Sequence, residues 1–177
     1  MLYYNSKQLS SSYEFGKQLL EKICRQRNTN QPLVFLCIGS DRATGDSLGP
    51  IIGYKLKQRR LSSAYVYGTL ENPVHAKNLS EVIREIHDTF ERPFIVAIDA
   101  SLGKASHVGY FTLGDGALKP GAGVGKELPQ VGNLYVTGIV NLSGFLENSL
   151  LQTTRLHTVM DLADKISTGI FYCLAKL

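Results

Sequence analysis

Asp46 and Asp99 are the residues of this sequence best placed to do chemistry. Asp46 lies in GSDRATGDSLGP, after the apolar run Leu33 to Ile38, and Asp99 lies in AIDASLG, after Phe94 to Ile98. In an open α/β sheet, ligands gather in the crevice beyond the carboxyl ends of the strands, so two acids delivered to that edge can share one site. Within a few ångströms of each other, like-charge repulsion raises one pKa and leaves one acid protonated and one ionised, the arrangement that activates water for attack on a carbonyl. A divalent cation bridging Asp46 and Asp99 is the other chemistry open to them, through the lowered pKa of its bound water. Each acid also has a plain structural role available. Asp46 stands where a helix begins and can be its N-cap, and Asp99 can be a cap or turn acid in DASLG. A carboxylate closing a buried strand is costly without partners, so the two acids together weigh more than either alone.

The loop before the first of these helices also carries Asp41, Arg42, Thr44 and Ser47 between Gly39, Gly45 and Gly49. That is more polar than a connector requires, and Asp41 and Arg42 are expected to position substrate or tune the acids. Gly121, Gly123 and Gly125 before Lys126 have the look of a phosphate loop, but the spacing fails. A Walker loop needs Gly where this chain has Pro120 and Ser or Thr where it has Glu127. A dinucleotide fingerprint fails too, since its third glycine is out of register and Pro129 interrupts any helix opening there. Gly121, Gly123, Gly125 and Lys126 are expected to bring backbone close to a substrate, with a flexible surface loop as the alternative. Cys37 sits in an apolar strand, Ser143 lacks the GxSxG elbow, and no two histidines have HxxxH spacing. His87 and His157 fall in helix patterns. His75 and His107 fall in loops or at strand edges, where surface or capping roles are expected, with a place in the site as the alternative for a loop His near a strand end.

The elements that must hold these residues follow from the apolar pattern. The length of 177 residues, 44% of them apolar, suits one domain, residues 1–177, with a full core. Ser11 with Glu14 makes a capping-box pattern, and Phe15, Leu19, Leu20 and Ile23 continue it as a helix to about Arg27. Leu33 to Ile38 is an unbroken apolar run, as expected of a strand buried on both faces, and Leu48, Ile51, Ile52 and Leu56 mark the helix after it. A short strand fits Tyr65 to Gly68, a helix begins near Asn78 or Ser80, and the next strand is Phe94 to Ile98. Tyr110 to Leu113 and Leu134 to Val140 read as two more strands, separated by the long glycine- and proline-rich loop. From Phe145 the pattern is helical, as one long helix or two broken ones, with Gly169 a tolerated interruption. Strands alternating with helices predict an α/β sandwich on a largely parallel sheet.

The net charge of +4 is modest and scattered. Lys55, Lys57, Arg59 and Arg60 cluster near one helix end, where the dipole favours cations, so no nucleic-acid partner is expected. Cys24, Cys37 and Cys173 lack CxxC spacing and suggest buried thiols in a reducing compartment. No leader pattern opens the chain and no apolar stretch approaches the ~20 residues that cross a bilayer, so a cytoplasmic location and no membrane partner are expected.

At CIGSDRATGDSLGP, YGTLENPVHAKNL, AIDASLG, KPGAGVGKELPQVG and TGIVNLSGF, in order along most of the chain, the sequence resembles the YyaC family of sporulation proteins. More distantly it is similar to the germination protease of spores and to the hydrogenase-maturation endopeptidases. This resemblance implies a three-layer sandwich around a twisted five-stranded sheet, four strands parallel and Tyr110 to Leu113 the antiparallel edge. The metal-binding acids of the maturation endopeptidases fall at Asp46 and Asp99, but their third ligand, a His after the fourth strand, has no counterpart between Tyr110 and Phe145. The germination protease places a pair of acids at the same two positions. The resulting expectation is a sporulation-associated peptidase that uses Asp46 and Asp99 on a protein or peptide substrate, such as a spore protein, without a cofactor. A binding or scaffold protein retaining the fold, and hydrolysis of a small ligand in the same crevice, are the alternatives.

Overall fold

The structure is a computed structural model that describes residues 1–59, 63–120, 128–144 and 147–177. Six strands form one mixed sheet: β1 (Leu2–Asn5), β2 (Leu33–Cys37), β3 (Tyr65–Tyr67), β4 (Phe94–Gly103), β5 (Tyr110–Asp115) and β6 (Leu134–Leu142). Among the described residues five helices flank it: α1 (Ser11–Gln26), α2 (Leu48–Gln58), α3 (Leu79–Thr89), α4 (Glu147–Gln152) and α5 (Leu156–Leu174). The strand order is β1-β5-β6-β4-β2-β3. β3, β2, β4 and β6 are mutually parallel, and β5 runs against both of its neighbours.

The expected α/β sandwich is present, with two corrections to the sheet. It has six strands rather than five, because Leu2–Asn5 pairs antiparallel with β5, and β5 is therefore interior rather than the edge. The second correction concerns β4, which continues past Ile98 to Gly103. Its pairing with β2 ends at Cys37↔Ile98, while its pairing with β6 carries on through Asp99↔Thr137. Asp99 is thus inside a strand that has outrun its neighbour on one side.

Alternation along the strands sorts the core into two layers. Phe35, Cys37, Val96 and Ile98 join Phe15, Leu19, Ile23, Ile52, Leu162, Ile166 and Ile170 beneath α1, α2 and α5. Val34, Leu36, Ile95 and Ala97 join Leu79 and Ile86 of α3 on the opposite face. Asp99 continues the second series, two residues beyond Ala97.

Helix ends depart from expectation at α1. The helix begins at Ser11, but the Ser11 hydroxyl donates to the Gln8 carbonyl at 2.9 Å and makes no capping box. α1 and α5 cross so closely that a Cβ added at Gly16 would lie 2.5 Å from the Gly169 carbonyl oxygen, which makes Gly169 a contact point rather than an interruption. The cations at the end of α2 reach toward α5: Lys55 pairs with Asp164 at 2.7 Å, and Arg59 lies over the Phe171 ring at 4.1 Å. Of the three cysteines, Cys37 and Cys173 are buried as expected, but Cys24 is exposed. No described helix is long and apolar enough to cross a membrane.

Candidate functional site

Two chain segments are folded back against the carboxyl end of β2. After Ile38 the backbone turns through Gly39 at φ 141°, a conformation that favours glycine, and a Cβ there would lie 2.0 Å from the Asp46 carbonyl oxygen. This close approach lets the Ser40 N–H donate to the Asp46 carbonyl at 3.0 Å and holds the 3-10 turn Gly45–Ser47 over the strand end. Gly49 serves the same packing one turn later, since a Cβ on it would meet the Ile38 carbonyl at 2.0 Å. On the other side, Val74 bridges Ile38 in parallel and its carbonyl accepts the Gly39 N–H at 2.7 Å. The next residue, His75, is fixed by Asn78, whose side-chain oxygen accepts the His75 N–H at 2.8 Å.

Asp46, Asp99 and His75 line one cavity of about 220 Å³, together with Ile38, Gly39, Ser40, Arg42, Ala76, Lys77 and Leu128. The two acids predicted from their positions therefore line the same cavity. Asp99 is 6% exposed, and its Oδ1 accepts the Ala100 N–H at 2.8 Å. Asp46 is partly buried, and burial pushes its carboxyl above the usual carboxylate value of 3.8, against smaller opposing effects from the Ser40 backbone and the charge of His75. Neither acid is a helix cap. Asp46 sits within the 3-10 turn, the cap position of α2 belongs to Ser47, and no side-chain capping bond is made there.

The other predicted residues divide. Arg42 reaches the cavity, whereas Asp41 lines a separate one of about 340 Å³ with Thr44, Tyr54 and Leu156. Gly121, Gly123, Gly125 and Lys126 lie outside the described residues. Lys77, which its sequence context does not single out, lines the cavity, and so does His75, the loop histidine that could join the site. Its Nδ1 is buried and makes no hydrogen bond among the described residues. The readable signal was the tight segment Pro73–Asn78 immediately before a helix, which presents one imidazole at a strand end. Cys37 is wholly buried and its thiol is pushed far up by burial, which removes it as a nucleophile.

A three-ligand metal centre needs a third donor beside the two acids. Among the described residues no group of three His, Cys, Asp or Glu side chains is arranged to hold an ion.

The architecture, an α/β sheet covered by helices, has a counterpart among solved folds. The chain has a TM-score of 0.50 to a NiFe hydrogenase maturation protease, HycI of Thermococcus kodakarensis KOD1, over 87% of this chain and 99% of that one. The sequences are only 13% identical, so the likeness shows the fold alone. By sequence, the chain belongs to the family described as Protein of unknown function (DUF1256), which it matches over residues 1–169. It is 52% identical over 145 residues to Uncharacterized protein YyaC of Bacillus subtilis (strain 168), covering 82% of this chain and 71% of that relative.

Proposed function

We propose that the protein is a peptidase in which Asp46 and Asp99 divide the roles of acid and base, acting on a protein substrate in the sporulating cell. The observation that carries this reading is that both carboxyl groups line one small cavity while burial favours a proton on Asp46. Asp99 takes a proton from water as the water oxygen bonds to the peptide carbonyl carbon. Asp46 gives its proton to the amine nitrogen as the carbon–nitrogen bond breaks. Products leave as a carboxylic acid and an amine, and proton exchange restores both carboxyl groups to their starting states. Arg42 and Lys77 supply positive charge on the cavity wall, suited to the oxyanion that develops during attack. The sporulation setting rests on the sequence resemblance.

Asp46→Asn and Asp99→Asn, assayed on small spore proteins, test this reading. Loss of cleavage in both supports it, and unchanged cleavage in both overturns it.

A further inference from the structure

β3 ends the sheet, and among the described residues it pairs only with β2. Backbone N–H and C=O groups alternate between the two edges of a strand, so its outer edge keeps hydrogen-bonding groups that the sheet does not use. That edge lines a groove of about 880 Å³ that also takes in residues of α2 and α3. Leu56 and Lys57 of α2 line it on one side, and Val82 and Glu85 of α3 on the other. The groove continues along the chain after β3 to His75, and His75 also lines the cavity that holds Asp46 and Asp99.

We propose that this groove binds an extended peptide as a seventh strand, laid along the free edge of β3 and directed past His75 toward the two acids. The inference rests on the peptidase reading and supplies its substrate class. A slot open along a strand edge and walled by helices on both sides matches the backbone of an extended chain, whose own N–H and C=O groups point to one edge at every second residue. The side chains of the added strand alternate between the walls. Those facing α2 meet the Lys57 ammonium, which suits acidic residues, and those facing α3 meet Val82 and the Glu85 carboxylate, which suits apolar or basic ones. Lys57 and Glu85 are both exposed, so their charges are available to a ligand.

The test uses full-length Asp46→Asn protein to select binders from a displayed library of random nonapeptides, followed by N-methylation of each backbone amide of an enriched peptide. The expected result is an affinity loss of roughly tenfold at every second amide and little at those between, with amide exchange slowed on saturation within Tyr65–Tyr67. Glu85→Lys should invert the preference from Lys or Arg to Asp or Glu at the position facing α3. The proposal is overturned if no peptide is enriched, if N-methylation is tolerated throughout, or if exchange slows only outside Tyr65–Tyr67. Wild-type protein separates the two readings. A peptide bound on β3 but left uncut defeats hydrolysis and keeps the groove, while a peptide cut without protection of β3 defeats the groove and keeps hydrolysis.

Discussion

The two faces of the sheet are built to different ends. Under α1, α2 and α5 the core is deep and apolar, with Phe15, Leu19, Ile52, Leu162 and Ile166 wholly buried. On the α3 face a smaller cluster around Val34, Leu36, Ala97 and Ile86 gives way, at the carboxyl end of the strands, to Asp99, Asp46 and His75. Burying a carboxylate or an imidazole costs free energy, and that cost is tolerable where another face supplies most of the stability. The chain thus keeps its stabilising layer and its chemical groups on opposite sides of the same strands.

The sharpest way to break this division is to remove the acids. Asp46→Asn and Asp99→Asn should each lower peptide hydrolysis by roughly 10²–10⁴ while leaving a cooperative thermal transition, read by cleavage assay and circular dichroism. Loss of folding in step with activity would mean that the acids hold the face together. Next in size is Phe15→Ala on the deep face, expected to cost about 3–5 kcal/mol in denaturant unfolding, against about 2 kcal/mol for Ile86→Ala beneath α3. A reversed ranking would undo the comparison.

Gly39→Ala links the faces, because its new Cβ would lie 2.0 Å from the Asp46 carbonyl oxygen at a φ of 141°. It should cost about 1–3 kcal/mol and reduce hydrolysis as well, since the turn that carries Asp46 must move.

A smaller effect depends on pH. Burial raises the Asp46 carboxyl above 3.8, so the folded protein holds that proton more tightly than the unfolded chain does. The stability this contributes is complete below the unfolded value and is lost as pH rises through the raised folded value. Asp46→Asn does not ionise, so it should gain stability relative to wild type across that window and hold the gain above it. His75→Gln should move the wild-type transition to higher pH, because the His75 charge opposes the shift. Denaturation midpoints measured from acid to neutral pH would show both. Smallest of all is Asp115→Asn, which removes the pair between the exposed Asp115 carboxylate and Lys22 at 2.7 Å and should cost less than about 1 kcal/mol after solvent screening.

What could be read in the sequence was what local pattern dictates. The unbroken run at Leu33 and the spacing of Leu48, Ile52 and Leu56 announce β2 and α2, and these alone put Asp46 between a strand end and a helix start. β1 was invisible because LYYN has too few residues for a period and is a strand only through its pairing with β5. Asp99 was read as lying just past a strand, since nothing local says that β6 extends β4 beyond the end of β2. For His75 the local segment gives a loop histidine before a helix, while its seat in the cavity is set by the bridge between Val74 and Ile38, a contact between segments far apart in sequence.

The tight crossing of α1 and α5 at Gly16 and Gly169 also sets an order of events during synthesis. Phe15, Leu19 and Ile23 leave the ribosome early, while Leu162, Ile166 and Ile170 follow only after every strand has been made. The deep face is therefore sealed last, and the nascent chain carries an uncovered apolar helix through most of its translation, the interval in which a chaperone has something to hold.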